Sequence, residues 1–191
     1  VFVSVRSFTH LADQFVLVGD PGQIAPVVTG ATRRWDASTT GPQIPAPQAL
    51  IAAHGNDVPR LRLPQTWRFR PDTASLLAPL YPSLPFTSAR PPRNLTIGSQ
   101  PIPEYRATPV PATGGTADPR VILTATQTVR DLIATATVNT PEESRPLTPA
   151  DVAVIAPHVE QAALAAAGLA DLPDVFVGTI NQAQGLQREA V

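Results

Sequence analysis

The sequence contains no cysteine, no methionine and no lysine, so all 14 of its basic residues are arginines. Without cysteine the chain forms neither a disulfide framework nor a thiolate metal site, and its three histidines are too scattered to suggest a metal cluster. Without lysine it contains no G-x-x-x-x-G-K-[ST] loop, whose lysine reaches the β- and γ-phosphates of a nucleotide. These 191 residues are therefore not a complete P-loop enzyme by themselves.

An excess of charge of one sign and long apolar runs are also missing. The formal net charge is -1, so no sequence-wide positive field attracts nucleic acid or a membrane, and any nucleic-acid contact must be local. No apolar run approaches the roughly 20 residues that span a bilayer. With 43% hydrophobic residues, we expect a soluble, cytoplasmic globular protein without membrane contact. The first residue is Val1, which fits a piece whose true start lies upstream.

The second half of the chain has the pattern of an α/β protein. Two short apolar runs, "DVAVIAP" (151–157) and "DVFVGTI" (174–180), are typical of buried strands, and "HVEQAALAAAGLADL" (158–172) between them is typical of a helix. Strand, helix and strand at this spacing predict a βαβ unit, with a parallel sheet flanked by helices. A further amphipathic helix is predicted over residues 121–136.

The first half is rich in proline and glycine and predicts fewer elements. The predicted helices and strands are a helix at 8–14, a buried strand at Phe15 to Val18, a helix at 47–54, a strand at 60–63 and a helix at 71–81. Segments 29–59 and 82–119 carry many prolines and glycines, and only "IPEYRATPV" (102–110) in the second of them is predicted as an edge strand.

Asp20 and Gln23 lie in a proline-stiffened turn directly after the first predicted strand, within "VLVGDPGQIAPVV" (16–28). In α/β sheets, ligands bind beyond the carboxyl ends of the strands, so this loop lies where a phosphate-bearing ligand would bind. Gln23 is suited to orienting a water or contacting a terminal phosphate, and Asp20 to holding a loop or a metal-bound water. A tight turn with solvent-facing polar side chains explains the same pattern and is the more common case.

Four segments share a motif pattern with one protein family. "LVGDPGQIAPV" (17–27) is similar to G-D-P-x-Q-L-P-P-V, and "LPQTWRFRP" (63–71) to L-x-Q-x-Y-R-x-x-P. "DVAVIAPHVEQ" (151–161) is similar to I-x-V-I-x-P-Y-x-x-Q, and "VGTINQAQGLQ" (177–187) to V-x-T-V-x-x-F-Q-G-x-E. In this order the chain resembles superfamily 1 helicases of the RNA-surveillance and DNA-repair branch. The first, second and fourth of these segments are similar to the third, fourth and fifth motifs of that family, and 151–161 is similar to the strand and turn that lie between the last two. The four matches are collinear and spread across nearly the whole chain.

The resemblance implies a RecA-like P-loop NTPase fold. Residues 1–60 would be the C-terminal tail of a first RecA-like domain, and 61–191 most of a second domain whose C-terminal end is missing. The parent protein would be an ATP-dependent helicase or translocase that uses ATP and Mg²⁺. Its partners would be single-stranded DNA or RNA and the remaining helicase domain of the same polypeptide. Because the phosphate-binding loop, the magnesium-holding Asp-Glu motif and the sixth motif are not in this sequence, we expect the 191 residues to be inactive alone.

The resemblance also implies roles for individual residues on the nucleotide side. Gln23 would sense the γ-phosphate, Asp20 would belong to the same catalytic loop, and Arg68 would reach the γ-phosphate from the second domain. Trp67, where the family usually has tyrosine, would stack on the adenine base, and Gln65 and Gln187 would contact the nucleotide. Taken without the family, Trp67 is more simply a core aromatic residue and Arg68 a partner in a surface ion pair.

A second group of residues would contact the nucleic acid. Its members by resemblance are His158, Thr179, Gln184 and Gly185. The last three lie where a strand is predicted to give way to a helix, and the N-terminus of such a helix can bind a backbone phosphate. A simple capped helix start explains the same residues.

The sequence departs from the family at three positions. Gln187 stands where the family has glutamate, Ala183 where it has an aromatic residue, and Val159 where it often has arginine. Losing the carboxylate removes an acceptor for a ribose hydroxyl, which an amide replaces only in part. These departures favour one alternative, a degenerate, non-catalytic helicase-like module that binds protein or nucleic acid. An unrelated α/β domain with chance matches is a second alternative.

Overall fold

The computed structural model describes residues 13–19, 30–39, 41, 43–82, 84–112 and 114–191. The chain divides into two compact units, one formed by Val1–Pro64 and Pro79–Pro85 and the other by Gln65–Ala78 and Phe86–Val191. Within the described ranges, no helix is long and apolar enough to cross a bilayer.

The first unit contains one α-helix in its described part, α1 (Ala46–His54), which confirms the helix predicted there. Pro45 is extended, Pro47 occupies the first turn where no intrahelical N–H is needed, and Gly55 ends the helix at φ 57°. The predicted helix at 8–14 lies mostly outside the described residues.

The buried strand predicted at Phe15 to Val18 is wrong. These residues form no strand, and Val16 and Val18 are both 89% exposed. The strand predicted at 60–63 is also wrong, since Leu61 is 99% exposed and the segment is irregular. In both places the apolar residues pair with no other described segment, and an apolar pattern forms a stable strand only where a partner supplies hydrogen bonds.

The second unit begins with a small parallel pair. Strand β1 (Gln65–Thr66) pairs in parallel with β2 (Thr87–Ser88), and α2 (Pro71–Leu77) connects them together with a short 3₁₀ turn. Pro71 and Asp72 lie in the first turn of α2, as predicted. Asp72 is favourable there because its charge complements the positive end of the helix.

A four-stranded antiparallel sheet follows, in addition to the parallel sheet that was predicted. Its strands are β3 (Asn94–Ile97), β4 (Gln100–Pro101), β5 (Ala136–Asn139) and β6 (Ser144–Pro146), in the order β4-β3-β5-β6. The two-residue turn between β3 and β4 contains Gly98 at φ 57°, a conformation that favours glycine.

The edge strands of this sheet are β4 and β6, so the edge strand predicted at 102–110 is wrong. The amide of Ile102 still donates to Leu95 O (2.8 Å), but Pro103 has no N–H to continue the ladder.

The predicted βαβ unit is confirmed. Strand β7 (Ala153–Ala156) pairs in parallel with β8 (Phe176–Thr179) after the crossover helix α4 (Val159–Gly168). On its other edge β7 meets the segment at Ala190, through a parallel bridge at Val152 and the bond from Ala153 N to Ala190 O (2.9 Å). Strand β7 therefore has parallel neighbours on both sides.

One hydrophobic core joins the antiparallel sheet to the βαβ unit. Helix α3 (Pro119–Thr135), predicted at 121–136, begins after the buried Asp118, whose carboxylate accepts from Arg120 N at 2.9 Å. The buried core residues are Val129, Ala136, Val138, Leu147, Val152, Leu169 and Val175. The fold of the described chain is thus mixed α/β, with helices and both parallel and antiparallel pairing.

Asp151 connects the two sheets through polar contacts. Its carboxylate accepts two bonds from Arg145 (Oδ2 to Nη1 2.6 Å, Oδ1 to Nη2 2.9 Å) and one from Thr148 N (2.9 Å). Its carbonyl accepts from Glu189 N at 2.8 Å and Ala190 N at 3.1 Å. The Arg145 guanidinium, together with Thr148, holds the pKa of Asp151 well below its usual range.

Asp151→Asn is expected to lower the free energy of unfolding by about 1–2 kcal/mol at neutral pH, because the Arg145 bonds lose their charge. The expected loss is modest because the Arg145 side chain is 34% exposed and solvent screens the pair. Because the pKa of Asp151 is lower in the folded than in the unfolded state, its ionised carboxylate stabilises the protein above about pH 4, and this effect is lost as the pH falls.

Urea titrations of wild type and Asp151→Asn from pH 7 to pH 3 should show the difference in free energy of unfolding between them shrinking below pH 4. Asp174→Asn, at an exposed carboxylate, is the control. A difference independent of pH would contradict this account.

Candidate functional site

The two predicted catalytic residues of the first loop, Asp20 and Gln23, lie outside the described residues. Their roles stay predictions. The other predicted site residues all lie in the second unit, so the candidate site is built from that unit alone.

The segment Thr66–Arg70 is a loop with a well-held main chain. It leaves β1 and enters α2, and its backbone has partners on both sides. Arg68 N donates to Thr66 Oγ1 (3.3 Å), and the Phe69 carbonyl accepts from Ser88 Oγ (2.7 Å). The Arg68 carbonyl accepts from Arg90 Nη1. Hydrogen bonds with three side chains, of which Ser88 and Arg90 donate and Thr66 accepts, therefore hold the main chain of this loop.

The large side chains of the same loop face solvent. Trp67 is 69% exposed, and Gln65 and Arg68 are exposed as well. Trp67 is therefore not a core aromatic residue, which was the simpler interpretation of its place in the sequence. The Arg68 guanidinium makes no hydrogen bond or ion pair with a residue of the described ranges, so a surface ion pair does not account for it there. The indole of Trp67 and the guanidinium of Arg68 are thus exposed to solvent on adjacent residues of a backbone that hydrogen bonds hold in place.

A cluster of arginines and glutamates lies beneath this loop. Arg70 Nε binds Glu104 Oε1 at 2.7 Å, and Glu104 Oε2 accepts from Thr73 N at 2.6 Å, so a nearly buried carboxylate also caps the first turn of α2. Arg70 Nη1 in addition donates to the Arg93 carbonyl at 3.0 Å. These contacts tie α2 to the antiparallel sheet.

Glu189 lies between two further arginines of the cluster. Its Oε1 is 3.0 Å from Arg93 Nη2, and its Oε2 is 3.9 Å from Arg90 Nη2. Burial, and after it the positive charge of Arg93, lowers the pKa of Arg90, while Glu189 opposes that shift. The carboxylate of Glu189 therefore compensates two cations that would otherwise repel each other.

Arg90 connects the Thr66–Arg70 loop with Glu189, because it contacts both the Arg68 carbonyl and the Glu189 carboxylate. Glu189 lies two positions after Gln187, the last residue of the segment 177–187, and Gln187 is exposed.

Sequence reasoning missed Arg90, Arg93, Glu104 and Glu189. The only available signal was the pair of arginines three positions apart in "ARPPRN" (89–94), inside a segment otherwise poor in charge.

The predicted nucleic-acid contacts lie at the carboxyl edge of the parallel pair. Ala156, the last residue of β7, is in register with Thr179, the last of β8. His158 follows β7 and precedes α4, and Thr179 ends β8, so the topology places them at the same edge. This is the edge at which parallel sheets bind ligands.

The helix expected after Thr179 is absent, which is a correction. Residues 180–185 form turns, closed by the bond from Ala183 N to Thr179 O (3.0 Å), and Gly185 has φ 86°. The side chain of Gln182 accepts from Thr179 N (2.8 Å) and from the Thr179 hydroxyl (3.1 Å). Because a side chain already satisfies the amide and no helix follows, a helix N-terminus does not supply a phosphate site here. Gln184 and Gly185 are exposed.

Among the described residues, no group of three or more His, Asp or Glu side chains could hold a metal ion.

The chain matches no protein-family model, no curated protein and no solved structure. The motif pattern of the sequence and the geometry of the second unit are therefore the observations that bear on function.

Proposed function

We propose that this chain is part of an ATP-dependent helicase or translocase of the superfamily 1 type, and that its Thr66–Arg70 loop contacts the nucleotide. One observation carries the proposal: the main chain of this loop is fixed on both sides, while Trp67 and Arg68 project into solvent. A fixed backbone lowers the entropy lost when a ligand is bound, and an exposed tryptophan on that backbone offers a flat apolar face to the ligand.

The two side chains suit two parts of a nucleoside triphosphate. The flat indole of Trp67 offers a face on which a purine base stacks. The planar guanidinium of Arg68 offers paired donors to the oxygens of a phosphoryl group. In phosphoryl transfer, such a cation stabilises the charge on the transferring group. Gln65 and Gln187, which are both exposed, are proposed to contact the same nucleotide.

The βαβ unit supports assigning the second unit to a RecA-like domain. Strand β7 lies between β8 and the segment at Ala190, all in parallel, and α4 forms the crossover. Parallel central strands with a helical crossover are what a RecA-like sheet requires. At its carboxyl edge, His158, Thr179, Gln184 and Gly185 are proposed to contact the backbone of single-stranded DNA or RNA.

The remaining parts of the motor are proposed to come from elsewhere in the parent polypeptide. The phosphate-binding lysine has to be supplied from outside, because these 191 residues contain none. ATP and Mg²⁺ would bind only when the rest of the first RecA-like domain is present, with Asp20 and Gln23 at the nucleotide. Catalysis of this kind is positioning plus electrostatics, so half of the assembly does not perform it.

The coding sequence upstream of Val1 provides the first test. We expect an open reading frame with a G-x-x-x-x-G-K-[ST] loop and an Asp-Glu pair. Purified as 191 residues, the protein should hydrolyse no ATP above background, whereas the longer polypeptide should hydrolyse ATP and be stimulated by single-stranded nucleic acid. ATP hydrolysis by the 191 residues alone would contradict the division of roles. A longer polypeptide that lacks the loop and the activity would contradict the helicase proposal itself.

A non-catalytic binding module is the second candidate. It is favoured by the amide of Gln187 in place of a carboxylate and by the Thr179 amide already bonded to Gln182. Under this proposal the exposed Trp67 and the carboxyl edge of β7 and β8 would serve binding alone. The retention of Arg68, Gln184 and Gly185 opposes it, because a decayed site usually loses its polar groups together.

A further inference from the structure

Arg90 occupies a central position beneath the candidate site without being part of its exposed surface. It lies just after β2, and its side chain is 22% exposed. Its Nη1 donates to the Arg68 carbonyl, and its Nη2 lies 3.9 Å from Glu189 Oε2. Its own amide donates to Ser88 Oγ at 3.2 Å, and that hydroxyl in turn donates to the Phe69 carbonyl at 2.7 Å.

These contacts make Arg90 the only charged donor to the main chain of Thr66–Arg70 among the described residues. A hydrogen bond from a charged donor is roughly twice as strong as one between neutral groups. The other side-chain bonds to this loop involve neutral hydroxyls: Ser88 Oγ donates to the Phe69 carbonyl, and Thr66 Oγ1 accepts from Arg68 N over a long 3.3 Å. The backbone bonds to the loop are at its two ends, from Ala89 N to Thr66 O and from Ala74 N to Arg70 O. Arg90 is therefore expected to contribute most of the restraint on the backbone at Arg68.

We propose that Arg90 is a positioning residue for Arg68, held in place by Glu189 as its counter-ion. The inference rests on the proposed function, because it assigns Arg90 to the same nucleotide site. Arg90 does not itself touch the nucleotide. It fixes the carbonyl from which the Arg68 side chain departs, and so sets where that guanidinium stands when a phosphate arrives.

The residue type fits this task. A guanidinium is a planar fork whose two Nη groups reach two acceptors at once, here a carbonyl and a carboxylate. A lysine ammonium carries the same charge as a single point, so it cannot span both acceptors with the same geometry. Replacing Arg90 by lysine therefore separates the role of the fork from the role of the charge.

Amide hydrogen exchange in the 191-residue protein tests the restraint without any nucleotide. In Arg90→Ala, we expect exchange at the amides of Arg68 and Ala89 to be about tenfold faster, as for the loss of one charge-assisted bond. Both amides belong to this loop and its parallel partner, since Ala89 N donates to Thr66 O (2.8 Å). The exchange rate of the Val138 amide, in the centre of the core, should stay within about twofold of the wild-type rate.

Two variants sharpen the comparison. Arg90→Lys should exchange at an intermediate rate, and Arg106→Ala, which removes an exposed arginine, should exchange as wild type does. Unchanged exchange at Arg68 in Arg90→Ala would overturn the proposal. Equal acceleration at Arg68 and Val138 would overturn it too, since Arg90 would then support the whole unit and not the loop.

Kinetics of the longer polypeptide provide the readout that a merely structural role would not move. Because small misplacements of a catalytic group cost about a hundredfold, Arg90→Ala should lower kcat by roughly 10- to 100-fold. The KM for ATP should stay within about twofold of wild type, since uniform binding is kept. A raised KM with unchanged kcat would overturn the positioning role. If the wild-type polypeptide is inactive while the loop amides respond to Arg90→Ala, the helicase proposal fails and the restraint on Arg68 still stands.

Discussion

Arg68→Ala is expected to lower ATP turnover by about a thousandfold or more in the polypeptide that carries both this chain and a phosphate-binding loop. Arginines that stabilise the charge on a transferring phosphoryl group contribute on the order of 10³ to 10⁵ in kcat. The guanidinium of Arg68 is exposed, is not engaged by any residue of the described ranges, and extends from a backbone held by Arg90 and Thr66. Removing it leaves the backbone bonds intact, so the loss should fall on the chemical step.

Steady-state ATP hydrolysis with saturating single-stranded nucleic acid measures this effect. Arg106→Ala is the matched control, because it removes another exposed arginine of the same unit and should leave kcat within about twofold of wild type, as expected for a residue that makes no transition-state contact. Arg68→Lys keeps the charge and loses the paired donors, so its kcat should lie between those of wild type and Arg68→Ala. Wild-type turnover in Arg68→Ala would assign the chain to the binding-module class instead.

Leu147→Ala is expected to lower the free energy of unfolding of the second unit by about 2–5 kcal/mol. Leu147 is 2% exposed, and its amide donates to Ala136 O at 2.9 Å, so it stands where β6 leaves the antiparallel sheet and the chain turns towards β7. Its side chain belongs to the core shared by both sheets. Alanine would leave a cavity at that junction. Since whole domains are stable by only about 5–15 kcal/mol, the loss is a large fraction of the total.

Chemical denaturation followed by far-ultraviolet circular dichroism gives the difference directly. The control is Leu123→Ala on α3, where the side chain is 66% exposed and the change should stay within about 0.5 kcal/mol. Equal losses in the two variants would mean that Leu147 does not pack in a common core. A loss confined to one of two separate transitions would mean that the two sheets unfold independently.

The elements predicted correctly from the sequence are those with local signals. Helices α1, α3 and α4 each carry their pattern within one continuous stretch, and the strands β7 and β8 are apolar runs separated by a helix of ordinary length. A parallel pair with such a crossover is recognisable because both strands and the connection lie next to each other in the chain.

The antiparallel sheet was not predictable in this way. Strand β3 pairs with β5 across the whole of α3, and β4 and β6 contain only two and three residues. Strands so short carry no alternating pattern, and their pairing is decided by contacts distant in sequence. The same reason explains the wrong strand at 60–63, where alternation is present and a partner is not.

The residues of the candidate site likewise differ in whether a local sequence pattern points to them. Trp67 and Arg68 are adjacent, so a motif points to them, and the structure places both on the surface. Arg90 and Glu189 meet only after folding, and no local pattern connects them. The helix predicted after Thr179 is wrong because the Gln182 side chain accepts a hydrogen bond from the Thr179 amide. The sequence pattern of a helix start does not distinguish such a contact from helix capping.

The exposure of Trp67 has a practical consequence, since the chain contains only two tryptophans and Trp35 is half-buried in the other unit. An indole surrounded by water fluoresces at longer wavelength than one surrounded by protein, and a stacked base quenches it. With Trp35 replaced by phenylalanine, the protein would carry a single intrinsic optical probe at the proposed nucleotide contact. Binding of a nucleotide to that surface would then change the wavelength and intensity of the tryptophan fluorescence, which is measurable in an unlabelled protein with or without hydrolysis.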